Sequence, residues 1–440
     1  MNAAAVPSRA SSARVLIVSE HASARFGGEA ALPLHYFRVL RQRGMDVWLI
    51  THARTRPELA RMFPDDRRIL YVEDPWLHRF LWHIGRKLPA QIAYFTVGFI
   101  SRFATQLAQR RIARRLVSDE GIDVIHQPMP VSPREPSMMF GLGAPVIIGP
   151  MNGGMDYPPA FRRHRSVPER CLLTAGRWSS AMLNHLMRGK RDAAFLLVAN
   201  KRTGDALPEG VCPRVVELVE NGVDLRLWGS AGEDLRPRGD DGTATFAFVG
   251  RLVDWKAVDL LLHACQRART QAPLRLVVIG DGVERAGLER LAKELGLAGE
   301  AVRFAGWMPQ QDCARELQSA DCLVLPSLLE CGGAVVLEAM AMGKPVIATA
   351  WGGPLDYLDD LCGILVAPRD REALVQGLAE AMVRLAASPT QRRDMGRHGR
   401  AKVLRDYDWE VKVDRMLELY EQARRSHKEA GGGNARSHRQ

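Results

Sequence analysis

The sequence predicts an α/β protein built from two doubly wound parallel-sheet domains. Three observations carry this. The chain has 440 residues, too long for one ordinary core and suited to two. Short apolar runs alternate with helical stretches, the pattern of parallel strands joined by crossover helices. The alternation stops once, at "LRLWGSAGEDLRPRGDDGT" (225–243), and then restarts. That stretch is polar and rich in Gly and Asp, so it reads as a linker.

The elements follow in order. "RVLIVS" (14–19) reads as a buried strand, and "RFGGEAALPLHYFRVLRQRG" as a Gly-rich turn and a helix ending at Gly44. "DVWLIT" (46–51), "RILYVE" (68–73), "IDVIH" (122–126), "APVIIG" (144–149) and "AFLLVA" (194–199) are further strands. After the linker come "TFAFVG" (245–250), "LRLVVIG" (274–280), "VRFAG" (302–306), "CLVLP" (322–326), "PVIATA" (345–350) and "GILVAP" (363–368). "WEVKVDRMLELYEQAR" (409–424) is an amphipathic helix with no strand after it, so it must pack on a layer already built. The expected division is a flexible start (1–13), a first domain (14–225), a linker (226–243), a second domain (244–405), a last helix (406–425) and a disordered tail (426–440).

Composition narrows the class. With 46% hydrophobic and 25% charged residues the chain is of globular type. No apolar run reaches the roughly 18–20 residues a membrane helix needs. "MNAAAVPSRASSAR" lacks the apolar centre of a signal peptide. The seven cysteines are scattered without CxxC or Cys/His metal spacing, which fits reduced thiols and a cytoplasmic address. A net charge of +11 favours anionic partners.

Ligands of open α/β sheets bind beyond the carboxyl ends of strands. In "VGRLVDWK" (249–256), Arg251 follows its strand and Lys256 opens the next helix. Two cations there suit a diphosphate, Arg by its fork and Lys as a point charge, or else form a solvated loop. In "LECGGAVVLEAMAMGKPVIA" (329–348), the helix from Ala334 to Met342 is apolar on every side but for Glu338. A buried carboxylate needs a partner, either a ligand hydroxyl pair or an internal Arg. Gly332 and Gly333 allow close approach, and the free amides and dipole at the helix start suit phosphate or sugar oxygens. Gly343, Lys344 and Pro345 then stop the helix. "GDGVE" (280–284) and "FGGEA" (26–30) are weaker Gly-rich turns. The sole DxD string, Asp406-Tyr407-Asp408, reads as a helix cap, so no catalytic metal is expected.

With seven residues between them, Glu330 and Glu338 resemble the E-x7-E signature of the family 4 glycosyltransferases. "ARVLIVSE", "FGGEA", "ELVENGVDLRLW", "FVGRLVDWKAVDLLLHA", "LVVIGDG", "VRFAGWM", "ADCLVLPS", "EAMAMGKPVIAT" and "WGG" fall in the family's order, over about residues 12 to 425. The resemblance implies the GT-B fold: two facing Rossmann-like domains, with the last helix crossing back onto the first. It implies a retaining, metal-independent transferase with an NDP-sugar donor, UDP- or GDP-linked, and no cofactor. Carried over, Arg251 and Lys256 contact the diphosphate, with Gly280 in the neighbouring loop, and Glu338 holds the ribose. Glu330 and the amides of Gly332, Gly333 and Ala334 hold the sugar. Gly28 approaches the ligand from the first domain. The sequence departs where the family's Gly-Phe-Gly-Leu becomes Cys331-Gly332-Gly333-Ala334, which bears on the donor sugar. Where members show His-x-His this chain has His126-Gln127-Pro128, so His126 is the candidate on the catalytic or acceptor side, with a packing histidine as the alternative. Asn152 is a candidate polar contact in the next loop.

Acceptors in this fold meet the first domain. Residues 75–118 hold eight Lys or Arg, no Asp or Glu, and seven aromatics from Trp76 to Phe103. A second basic run spans 161–191. Both suit an anionic membrane surface and a lipid-linked or oligosaccharide acceptor, or else a solvated helix face. A nucleic-acid partner is not expected, since a single-strand binder would not need the cradle. The reading is a glycosyltransferase of surface polysaccharide or glycolipid assembly, at the inner face of the plasma membrane. Its rivals are a sugar-nucleotide epimerase or hydrolase and a non-catalytic sugar-nucleotide binder.

Overall fold

The computed structural model describes residues 13–73, 99–162, 167–212, 214–229 and 242–437. The chain divides into two compact units. The first comprises Met1–Gly154, Arg165–Glu220 and Val413–Gln440, and the second Met155–His164 and Asn221–Lys412.

The first unit holds a seven-stranded, all-parallel sheet. Its strands are β1 (Val15–Val18), β2 (Val47–His52), β3 (Ile69–Val72), β4 (Val124–Gln127), β5 (Val146–Met151), β6 (Phe195–Val198) and β7 (Val215–Glu217), in the order β3-β2-β1-β4-β5-β6-β7. Val15 is in register with both Val47 and Val124, so β1 lies between the strands where the order reverses. Every residue of β1, β2, β4, β5 and β6 is buried, which is why these strands read as continuous apolar runs without alternation. The helices are α1 (Gly28–Gln42), α2 (Arg56–Met62), α3 (Phe99–Glu120), α4 (Val167–Leu186) and α5 (Lys201–Asp205). α3 packs on the first three strands, and Gln109 Nε2 donates to the carbonyl of Ser19 at 2.7 Å, fixing the helix at the end of β1.

The second unit holds a six-stranded parallel sheet. β8 (Ala244–Val249), β9 (Leu274–Ile279), β10 (Val302–Gly306), β11 (Cys322–Leu325), β12 (Val346–Thr349) and β13 (Gly363–Val366) are ordered β10-β9-β8-β11-β12-β13. The order reverses between β8 and β11, the strands that precede the Arg251 and Glu330 loops. Its helices are α6 (Leu225–Trp228), α7 (Val258–Arg269), α8 (Arg285–Glu294), α9 (Gln310–Ser319), α10 (Ala334–Ala341), α11 (Pro354–Tyr357), α12 (Arg371–Ala387), α13 (Pro389–Asp406) and the start of α14 (Trp409–Ser437). Both sheets are of the Rossmann-like type expected.

The sequence reading differs from the structure in four places. β7 was not foreseen: it is three residues long, at the sheet edge and largely exposed, so no apolar run marks it. The linker expected at 226–243 opens with α6, whose first turn is capped by Asp224 and whose Trp228 is buried; residues 230–241 lie outside the described residues. Residues 155–164 belong to the second unit, where Trp351 Nε1 donates to the carbonyl of Asp156 at 2.8 Å. The last helix runs to Ser437, through much of the expected tail. Glu421 pairs with Arg424 at 3.0 Å and Arg425 at 2.9 Å, one turn on, which supports the helix up to the place where the tail was expected to begin. Asp408 caps this helix, accepting from the Glu410 amide at 3.1 Å.

Candidate active site

Four loops of the second unit, those after β8, β9, β11 and β12, are stitched together by backbone hydrogen bonds. After β8, the Gly250 amide donates to Ile279 at 3.0 Å and the Leu252 amide to Asp281 at 2.9 Å. The Leu328 amide, after β11, donates to Trp255 at 2.8 Å. The Gly353 amide, after β12, donates to Glu330 at 2.7 Å. Gly280 makes the first contact possible: its φ is +135°, and a Cβ there would stand 1.9 Å from the Gly250 carbonyl oxygen.

Side chains converge on this frame. Lys256 Nζ is ion-paired with Glu330 Oε2, so two residues expected to touch a ligand hold each other. Both side chains are largely buried. Such a pair is preorganised, its conformational cost met at folding. Arg251 is exposed, its guanidinium 5.8 Å from the ring centre of Trp255, and its charge is not matched by a carboxylate among the described residues.

Gly333 takes the left-handed conformation (φ +78°) that turns the chain into α10, and a Cβ there would lie 3.1 Å from Glu330 Cγ. No side chain caps α10; of its first-turn amides, that of Val336 donates to the Gly333 carbonyl at 2.9 Å, and those of Ala334 and Val335 precede the helix's own bonding pattern. Gly332, Gly333 and Ala334 lie at that terminus. Glu338 sits just over one turn in. It makes no ion pair or hydrogen bond among the described residues, and burial pushes its carboxyl up to about 7. The internal Arg that sequence reasoning allowed as a partner is not there. Part of the residue's surface remains open, and that is the side a ligand could reach.

Two expectations in the first unit fare differently. Gly28 opens α1, and a Cβ there would meet nothing within 4 Å, so no protein atom demands glycine at that place. The glycine the turn needs is Gly27, at φ +100°. His126 is corrected from a candidate catalytic residue to a core histidine. It is fully buried; its Nε2–H donates to the Gly149 carbonyl at 2.7 Å, and its Nδ1 accepts from the Tyr420 hydroxyl at 2.8 Å. Both nitrogens are used by protein groups, and burial lowers its pKa to about 4, so it stays neutral at pH 7. Asn152 Nδ2 donates to Glu220 Oε1 at 2.5 Å.

Sequence reasoning missed a polar cavity of about 330 Å³ in the first unit, at the ends of β1, β4 and β5. Glu20, Glu29, Arg102, Gln106, Glu135 and Asn152 are among its walls. Arg102 pairs with Glu135 at 2.8 Å. Burial raises the carboxyls of Glu29 and Glu135. Beneath the wall the fully buried Lys190 donates to the Pro133 carbonyl at 2.6 Å, and burial lowers its pKa to about 7. These residues come from separate loops and two helices, α1 and α3, with no shared spacing, so no local motif could have grouped them.

Comparison with known proteins bears on this geometry. Residues 235–402 match the family Glycosyl transferases group 1. A D-inositol 3-phosphate glycosyltransferase of Segniliparus rotundus is 34% identical over 223 residues, 48% of this chain and 48% of the relative. A GDP-mannose-dependent monoacylated phosphatidylinositol monomannoside mannosyltransferase of Corynebacterium glutamicum is 32% identical over 187 residues, 41% of this chain and 47% of the relative. The chain thus spans about half the length of the curated relatives it matches. In fold the likeness is nearly complete. The Anabaena protein Alr3699/HepE, solved with UDP, superposes with a TM-score of 0.64 at 16% identity, over 93% of this chain and 99% of that one. Residues 235–402 of the second unit are thus similar to the family Glycosyl transferases group 1, on a fold of two parallel Rossmann-like sheets shared with the solved Anabaena protein.

Proposed function

We propose that the protein is a retaining glycosyltransferase that moves a sugar from an NDP-sugar to a glycolipid or polysaccharide-precursor acceptor. The observation that carries this is the trio Lys256, Glu330 and Glu338 at the switch point of the second sheet, with one carboxylate partnerless in a buried helix. Arg251 and Lys256 hold the diphosphate and offset its charge as it leaves. Glu338 accepts from the ribose hydroxyls. Glu330 and the amides of Gly332, Gly333 and Ala334 hold the donor sugar. Catalysis is positioning and electrostatic support of an oxocarbenium-like transition state, for which no strong protein nucleophile is needed. The donor is a UDP- or GDP-sugar, and the reaction runs without a metal, a reading supported by the lack of a DxD loop beside the cradle.

The acceptor is assigned to the polar cavity of the first unit, whose carboxylates and amides suit sugar hydroxyls. An anionic membrane surface was expected at residues 75–118, of which 75–98 lie outside the described residues; that contact, and a place at the inner face of the plasma membrane, are part of the proposal. An epimerase or hydrolase would want histidines around the donor sugar, and His126 is now removed from that role. A non-catalytic binder would retain nucleotide affinity without turnover.

The test is a thermal-shift screen against UDP-, GDP-, ADP- and dTDP-sugars, followed by a product assay with lipid-extract acceptors. One nucleotide class at 100 times its dissociation constant should stabilise by about 2.7 kcal/mol. No shift with any of the four would overturn the reading.

A further inference from the structure

Over residues 178–186, α4 is turned inside out. Trp178, Met182 and Leu186 recur every four residues, so they share one face, and they are 75%, 47% and 66% exposed. Toward the protein the same helix turns polar groups. Asn184 is buried and its Nδ2 donates to the Arg134 carbonyl at 2.8 Å; the Ser180 hydroxyl donates to the same oxygen. A helix on a globular domain ordinarily does the reverse, packing its large apolar side chains and showing water its amides and hydroxyls. Three large apolar residues in line on an outer face mark an interaction surface.

Charge identifies the occupant. Residues 161–191 contain eight Lys or Arg against one acid, Glu169; Lys190 among them is buried, and Arg162, Arg188 and Arg191 are exposed among the described side chains. Arg188 and Arg191 follow the helix directly and are exposed, with Asp192 their shared carboxylate. A second copy of this chain would bring the same cations to a face-to-face contact and be repelled. Three side chains are also far below the roughly 800 Å² per partner of a stable protein interface. A bilayer has neither difficulty, for its surface is anionic and needs no matched shape. Among the described residues no helix is long and apolar enough to cross a membrane, so the helix would lie on the surface.

We propose that the outer face of α4, led by Trp178, Met182 and Leu186 and flanked by Arg188 and Arg191, docks on an anionic lipid bilayer. The indole sits at headgroup level, Met182 and Leu186 enter the acyl boundary, and the guanidinium groups meet lipid phosphates or carboxylates. The surface belongs to the first unit alone and does not rest on the sugar-nucleotide reading.

The test uses the full chain and extruded vesicles, either neutral phosphatidylcholine or the same with one third phosphatidylglycerol. The protein should sediment with the anionic vesicles at least tenfold more than with the neutral ones, and less as salt is raised. The variant Trp178→Gln/Met182→Gln/Leu186→Gln should lose at least tenfold in binding while melting as the parent does, because all three side chains already face water. Arg188→Gln/Arg191→Gln should lose binding in part. Quenching by brominated anionic lipid, taken as the difference between the protein and Trp178→Tyr, places the indole in the bilayer. Equal sedimentation of parent and triple variant, or no binding by the parent, would overturn the proposal. So would a dimer in analytical ultracentrifugation that the triple variant abolishes, which would make the face a contact between copies.

Discussion

Glu338 shows what burial costs a single carboxylate. Its carboxyl is held up to about 7 by burial, so the folded protein keeps a proton that the unfolded chain gives up in the ordinary carboxylate range. Between that range and pH 7 ionisation therefore opposes folding, and stability falls as pH rises; above about 7 both states are ionised and the penalty is constant. Glu338→Gln should then raise the melting temperature of the ligand-free protein at pH 8, by about 2–8 °C for a penalty on the order of 1–3 kcal/mol, and far less at pH 4.5. The same change should weaken binding of free NDP, because a charge-assisted bond to ribose becomes a neutral one. Glu330→Gln should lower transfer far more than affinity for free NDP, since its proposed partner is the sugar and it reaches the diphosphate only through its ion pair with Lys256. Calorimetric titration with NDP and a product assay on both variants check this; NDP affinity lost in the Glu330 variant and kept in the Glu338 variant would reverse the assignment. The sequence exposed Glu338 because one carboxylate stands in an otherwise apolar helix. It could not reveal that Lys256 and Glu330 are paired, which depends on two loops 74 residues apart. His126 misled for a related reason: a histidine at a strand end looks the same in sequence whether or not a tyrosine 294 residues later takes its second nitrogen.

At the scale of elements, fully buried strands were legible and the edge was not. β1 and β11 are continuous apolar runs because both faces are covered, while β7 escapes notice because it lies at the edge and its side chains are largely exposed. The turns at Gly280 and Gly28 were both read as weak Gly-rich turns, yet their purposes differ. Gly280 is demanded by backbone against backbone: Gly280→Ala sets a methyl 1.9 Å from the Gly250 oxygen at a φ that side-chain-bearing residues rarely adopt. Gly28 has open space around it. Gly280→Ala should therefore lower the melting temperature markedly and weaken nucleotide binding with it, by displacing the loop that carries Arg251. Gly28→Ala should leave melting within about 1 °C, any effect falling on turnover. Differential scanning calorimetry of the two proteins separates the cases; equal melting would mean that the β8 and β9 turns can move apart at little cost.

The whole molecule is two sheets of one strand order, each reversing beside its central strand, so each has its own place for a ligand. The repeated alternation of apolar runs made that much readable. Which stretches return to which unit was harder, because Met155–His164 and Val413–Gln440 are placed by contacts such as Trp351 to Asp156 and Tyr420 to His126 that leave no local pattern. The two places differ in chemistry. The second unit offers cations and helix amides to a diphosphate, and the first a cavity with three carboxylates, Glu20, Glu29 and Glu135, which a phosphate would avoid. Hydrogen exchange across the full chain can tell them apart in one experiment. With UDP or GDP, whichever binds, peptides covering 250–257, 280–284 and 327–338 should exchange more slowly, since the ligand would hold the loops whose amides and side chains it engages. Peptides covering 20–29 and 132–135 should be unchanged by free nucleotide and should slow only when a sugar acceptor is added. Nucleotide protection confined to the cavity peptides would exchange the roles of the two units, and with them the reason the positive loop and the carboxylate-lined cavity stand on separate sheets.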